Sequence, residues 1–272
     1  MGVRPLPATL LPTRRRPTSG EDRARPVFKP YSVRFDGGRS AVAVDLSSPD
    51  ELPAALSALG LAVPIPTLVL VGWADGLEPG PAQRLRDLFC DVLVPLLDRL
   101  GVALIDGGTE AGVMALIGRT RIATGGTFPL IGVAARDTVV RPDEYFARNP
   151  GGALLDPNHT HFILVPGERW GDESPWISDA AMALSGGKEA ATLVAGGGVV
   201  TRIDVEQSLR ASRPTILLSG SGGIADRLAH ALCAGASTEL TIEQARLAGL
   251  RTVALESAAS ELPRLFESLF TP

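Results

Sequence analysis

Val102-Ala103-Leu104-Ile105-Asp106-Gly107-Gly108-Thr109-Glu110-Ala111-Gly112-Val113 carries the reading that decides the fold. A short apolar run reads as a buried strand, glycines end it, and a helix-like stretch opens at Glu110. The same order recurs along the chain. Ala191-Thr192-Leu193-Val194 runs into Gly196-Gly197-Gly198, and Thr215-Ile216-Leu217-Leu218 runs into Gly220-Ser221-Gly222-Gly223. Thr67-Leu68-Val69-Leu70-Val71 closes on Gly72-Trp73-Ala74. Strands alternating with helices imply a mostly parallel sheet covered on both faces, with right-handed crossovers. In such a sheet the turns gather at the carboxyl ends of the strands, where ligands bind. Backbone N–H groups at helix starts make that edge a ready anion site. The fold class is therefore α/β, a Rossmann-like, doubly wound sheet, and the ligand expected there is phosphorylated.

Working outward, Tyr31–Phe35 and Ala41–Val44 flank Asp36-Gly37-Gly38 as a hairpin. A helix capped by Ser48-Pro49-Asp50 runs to Leu59. Residues 81–100 place Leu85, Leu88, Phe89, Val92, Leu96 and Leu100 at helical spacing, with Gly101 as the stop, enough apolar positions for a dimer interface as well as the core. Strands are predicted at 128–134, 161–165, 190–195, 214–218 and 251–255. Helices are predicted at 174–185, 202–211, 224–233 and 258–269. The stretch between 135 and 157 reads as irregular. Residues 1–28, rich in Pro and Arg, read as a flexible tail, and 29–272 as a single domain.

Composition narrows the function classes. The 272 residues carry a net charge of −4, so nothing draws the chain as a whole to nucleic acid or to a membrane surface. Hydrophobic residues make up 45% of it, enough for a well-filled core. The longest apolar stretch, Leu59–Ala74, is broken by Pro64 and Pro66 and is too short to span a bilayer. No apolar segment follows Arg14-Arg15-Arg16 as a secretory signal would require. Cys90 and Cys233 read as small core residues in a reducing compartment, and a cytoplasmic location follows.

Each glycine turn has a functional and a plain reading. Gly107 and Gly108 let backbone approach a ligand without a Cβ in the way, and Thr109 can cap the next helix or donate to a phosphate. Gly112 and Val113 belong to the same run. Gly196-Gly197-Gly198 offers an open floor with Thr201 and Arg202 at the helix start, where Arg202 either pairs with phosphate or faces solvent. Ser221 and its neighbouring amides can cradle a phosphate, while Asp226 either accepts from ribose hydroxyls or favours the helix dipole. No Walker A loop, Gly-x-Gly-x-x-Gly fingerprint or Gly-x-Ser-x-Gly elbow is present. Leu154-Leu155-Asp156-Pro157-Asn158-His159-Thr160-His161-Phe162 concentrates polar groups before a strand; it reads as a turn that positions the strand rather than as a metal site. Glu173, Trp170 and Trp176 follow, and a tryptophan there either stacks on a base or covers the core edge.

At these residues the sequence resembles the SLOG superfamily, and within it the prokaryotic relatives of the N-terminal domain of TRPM channels. The matching runs are Asp106–Met114, Leu155–Phe162 and Gly220–Asp226, with Gly196–Gly198 between the last two. The resemblance implies a Rossmann-like receptor for nucleotide-derived ligands such as ADP-ribose and other NAD metabolites. Site residues carried by it and by the turns are Gly72, Trp73, Gly107, Gly108, Thr109, Gly112, Val113, Asn158, His159, Gly196, Gly197, Gly198, Thr201, Arg202, Gly220, Ser221, Gly222, Gly223 and Asp226. Branches similar to the LOG phosphoribohydrolases instead carry Gly-Gly-x-Gly-Thr-x-x-Glu and hydrolyse nucleoside 5′-monophosphates. Here that run is Gly197-Gly198-Val199-Val200-Thr201-Arg202-Ile203-Asp204, with valine for the third glycine and aspartate for the glutamate. Both departures count against hydrolysis; if it occurs, Asp204, or Glu206 nearby, is the candidate catalytic group. Gly223 stands where TRPM-like members often carry arginine. No cofactor or metal is expected beyond the nucleotide-type ligand, and a homo-oligomer or a separately encoded effector remains open as partner.

Overall fold

The computed structural model describes residues 29–76, 78–142, 151–187, 189–234 and 249–271. The tail assigned to 1–28 lies outside them. Eleven strands follow in chain order among the described residues: β1 (Tyr31–Arg34), β2 (Ser40–Asp45), β3 (Thr67–Gly72), β4 (Ala103–Asp106), β5 (Leu130–Ala135), β6 (Val139–Val140), β7 (Ala153–Leu154), β8 (His161–Val165), β9 (Ala190–Ala195), β10 (Thr215–Ser219) and β11 (Leu250–Ala254). Nine of them form one sheet in the order β1-β2-β8-β5-β4-β3-β9-β10-β11, and β6 pairs with β7 apart from it. Only β1 runs antiparallel to its neighbour, through the hairpin predicted around Asp36-Gly37-Gly38. From β3 the chain winds outward through β4 and β5, then returns to place β9 on the opposite flank of β3. That reversal of direction opens a crevice beyond the carboxyl ends of β3 and β9.

The helices are α1 (Leu52–Ala58), α2 (Pro79–Leu88), α3 (Val94–Leu100), α4 (Gly112–Thr124), α5 (Ser174–Leu184), α6 (Val199–Arg210), α7 (Gly223–Ala234) and α8 (Ala258–Phe270). Side chains alternate across the strands and sort the helices onto two faces. Leu68 and Leu70 of β3 join α2, α3, α4 and α8 in one core cluster. Val69 and Val71 of the same strand join α1, α5, α6 and α7 in the other. This is the doubly wound arrangement expected from the alternating pattern.

Four details depart from the sequence reading. The helix predicted over 81–100 is two helices joined by a π-helical turn at Phe89–Leu93. Pro95 has no N–H to continue the α ladder, and the wider turn accommodates it. Within 135–157, read as irregular, β6 and β7 make a two-stranded ladder too short to leave any periodicity. The helix predicted from Arg202 starts three residues earlier, at Val199, with Gly198 as its N-cap. Neither cysteine belongs to the core: Cys90 is half-buried within the π turn and Cys233 is exposed in the last turn of α7.

Candidate functional site

Beyond the carboxyl ends of β3, β4 and β5 lies a cavity of about 390 Å³. Its walls come from Gly72 at the end of β3 and Ala74 beyond it, Gly107 and Thr109 after β4, Ala134 and Ala135 of β5, and Val200, Thr201 and Asp204 of α6. The loop before α5 adds Trp170 and Glu173. Of the residues predicted from sequence, Gly72, Gly107, Thr109, Thr201 and Asp204 therefore share one cavity. Thr201 is already engaged, since its hydroxyl donates to the Gly72 carbonyl at 3.1 Å. The opening amides of α6, from Val199 to Thr201, belong to a first turn without intrahelical acceptors and so remain anion-binding groups in principle.

The third glycine turn takes no part in this cavity. Its amides are consumed within the protein: Asp226 accepts from the Gly220 and Gly222 N–H groups at 2.6 and 3.1 Å. At the start of α7, Ile224 and Ala225 donate to the Gly197 and Gly196 carbonyls at 2.9 and 3.2 Å. The Ser221 hydroxyl accepts from the Gly196 N–H at 2.8 Å and donates to the Leu218 carbonyl. The expected phosphate cradle is a seam between two loops, closed by the indole of Trp73, whose Nε1 donates to the Ser221 carbonyl at 3.1 Å. At Gly196, where φ is +70°, a Cβ would sit 1.9 Å from that Nε1. Ser221→Ala removes the acceptor of a buried N–H. It should lower the unfolding free energy by about 1–2 kcal/mol in urea denaturation, while Ser221→Thr should retain most of it.

Asn158 and His159 also lie away from the cavity, behind the loop that borders it. His159 is fully buried, with Nε2 2.8 Å from Asp106 Oδ1 and Nδ1 3.4 Å from Asp156 Oδ1. Asp106 Oδ1 also accepts from the Gly108 N–H at 2.7 Å, and the Asp156 N–H donates to the Gly108 carbonyl at 2.9 Å. Gly108 is pinned from both sides, with φ at +69° and its Cα packed on that of Gly132. Asn158 accepts from Arg39 at 2.6 Å. Burial alone would lower the His159 pKa, but the flanking Asp106 and Asp156 carboxylates outweigh it and hold the imidazole up to about 9. The Asp-Pro-Asn-His run is thus an ionic brace for the Gly107–Thr109 loop.

Gly112 and Val113 are packing residues as well. The Val113 N–H donates to the Trp73 carbonyl at 2.8 Å, and Gly112 lies against the same carbonyl with no room for a Cβ. Arg202 pairs with Glu206 at 2.6 Å along α6, so both candidates spend their charge on each other. Among the described residues, no group of three or more His, Cys, Asp or Glu side chains is arranged to hold a metal ion. Among the same residues no helix is long and apolar enough to cross a membrane.

The residue that the candidate set lacks is Glu173. It is 7% exposed, lines the cavity, and accepts from the Gly171 N–H at 2.9 Å through Oε2. Burial raises its pKa, against the pull of the N–H groups of Glu173 itself and Gly171 and with a smaller push from Asp172. Asp204 is 8% exposed, and its Oδ1 has no hydrogen-bond partner. Burial pushes the Asp204 carboxyl up to about 7; the Ser174 hydroxyl opposes this and the Glu173 charge adds to it. Trp170 stands half-exposed at the rim. Sequence offered one signal for this corner, a tryptophan and a glutamate close together after a polar turn, without showing which edge they reach.

A family model described as "SLOG in TRPM, prokaryote" matches residues 65–262. Among curated proteins, the "Transient receptor potential cation channel subfamily M member-like 2" of Nematostella vectensis is 27% identical over 197 residues, covering 58% of this chain and 12% of that protein. The "Transient receptor potential cation channel subfamily M member 2" of Mus musculus is 28% identical over 205 residues, covering 63% of this chain and 14% of that one. This chain thus spans about an eighth of the length of the curated relatives it matches. A solved structure described as TM1055, a structural genomics target, aligns with a TM-score of 0.48 at 19% identity, over 73% of this chain and 98% of that one.

Proposed function

We propose that this chain, which belongs to the prokaryotic SLOG family related to TRPM proteins, binds a nucleotide-derived ligand such as ADP-ribose or another NAD metabolite and acts as its sensor. One observation carries the reading. A cavity at the strand-order reversal brings together the opening turn of a helix, an exposed indole and buried carboxylates. These suit, in turn, a phosphate, a base and ribose hydroxyls. Ligand binding to the folded state stabilises it by RT ln(1 + [L]/Kd), about 2.7 kcal/mol at a hundredfold excess over Kd. A melting-temperature panel of ADP-ribose, NAD, AMP and cyclic ADP-ribose should therefore show at least one rise of several degrees. No shift from any of them at millimolar concentration overturns the reading.

A second reading, hydrolysis of a nucleotide N-glycosidic bond, is favoured by the buried and unpartnered Asp204 Oδ1 at the cavity wall. A carboxyl that titrates near 7 suits general acid–base work at neutral pH. Chromatography of AMP incubated with the protein decides between the two. Free adenine that vanishes in Asp204→Asn supports the hydrolase, and absence of free base leaves the sensor.

A further inference from the structure

Resting on the nucleotide reading above, we propose that the carboxylate-lined part of the cavity receives the positively charged end of its ligand, a heteroaromatic cation of pyridinium type, with the phosphates kept to the start of α6. Three carboxylates, Asp75, Glu173 and Asp204, line it, and among the described residues no lysine, arginine or histidine does. Asp204 and Glu173 are both more than nine-tenths buried, and the Asp204 Oδ1 is left without a partner. Oxygens held this way accept hydrogen bonds and welcome positive charge; a phosphate brought against them would be repelled at low local dielectric. Thr109 and Thr201 also line the wall, but the Thr201 proton is committed to the Gly72 carbonyl.

The rim supplies the second half of the argument. Trp170, half-exposed, lines the same space, and aromatic faces attract cations as well as stacking on rings. Acids and a half-exposed indole lining one cavity together select a flat cationic ring over a neutral one of the same shape. The phosphates of such a ligand then belong at the first turn of α6, where Val200 and Thr201 border the cavity.

Calorimetric titration of the full chain with NAD⁺, NADH and ADP-ribose tests this, because the three share the adenosine diphosphate part and differ at the far end. NAD⁺ is expected to bind at least tenfold more tightly than NADH or ADP-ribose. Glu173→Gln and Asp204→Asn, which keep shape and remove charge, should each cut that preference severalfold. Equal affinity for the three ligands overturns the proposal and leaves the nucleotide reading intact. A preference that survives in both variants also overturns it, since the selection would then come from elsewhere. No binding of any of the three overturns it together with the reading on which it rests.

Discussion

His159→Leu should lower the unfolding free energy by about 3–5 kcal/mol, the scale for removing one partner of a buried charge group. The imidazole sits between two fully buried carboxylates, and its removal leaves Asp106 and Asp156 facing each other across an apolar side chain. Each of these aspartates still holds the loop, through the Gly108 N–H or, at Asp156, through its own N–H to the Gly108 carbonyl. The damage should therefore appear first in the Gly107–Thr109 loop, as lost amide protection, before the sheet opens. The effect also has a pH signature. His159 is raised from an unfolded value near 6.5 to about 9, so its charge stabilises the fold fully below pH 6.5. That contribution, on the order of 3 kcal/mol, fades as pH rises through about 9. Urea denaturation from pH 6 to 9.5 checks it: the gap between wild type and His159→Leu should narrow as pH rises. A gap that stays constant would mean that the histidine is neutral and acts by packing alone.

The sheet was legible because β3, β4, β9 and β10 are continuous apolar runs that stop on glycines, a pattern set by burial on both faces. The site was legible only in part, for a physical reason. Gly107 and Gly197 look alike in sequence, yet one opens onto a cavity and the other packs on Thr201. A glycine turn says that backbone comes close to something; whether that something is a ligand or the protein depends on side chains distant in sequence. Trp73 decides the matter at the third turn, and its partner Ser221 lies 148 residues away. Glu173 shows the converse, since its importance comes from lining the same cavity as Asp204, a residue distant in sequence. The Asp-Pro-Asn-His run stands out in sequence for a third reason: a buried ionic brace restricts residue types as tightly as a binding site does.

Trp73→Ala should be the other severe substitution, costing about 3–5 kcal/mol by the usual range for emptying a large aromatic site. The indole fills the space between the loops after β3, β9 and β10; a Cβ on Gly196 or Gly223 would strike it at 1.9 or 2.7 Å. It also ties those loops together through the Ser221 carbonyl. Gly196→Ala tests the same contact from the other side. In the wild-type background it pushes a methyl group into the indole and should cost several kcal/mol, part of it backbone strain at a φ of +70°. In the Trp73→Ala background the collision is gone, and only strain and the approach to the Ser221 carbonyl remain. The two substitutions should therefore be strongly non-additive, with a coupling of about 1–3 kcal/mol in a double-mutant cycle followed by urea denaturation. Additive costs would show that the indole does not fill the seam. Ligand affinity supplies an independent check, because Trp73 does not line the cavity while its neighbours Gly72 and Ala74 do. Loosening the seam lets the α6 start drift from Gly72, so Trp73→Ala should weaken the nucleotide binding proposed above at temperatures where the protein is still folded. Affinity that survives unchanged would place the cavity's rigidity in the His159 brace alone.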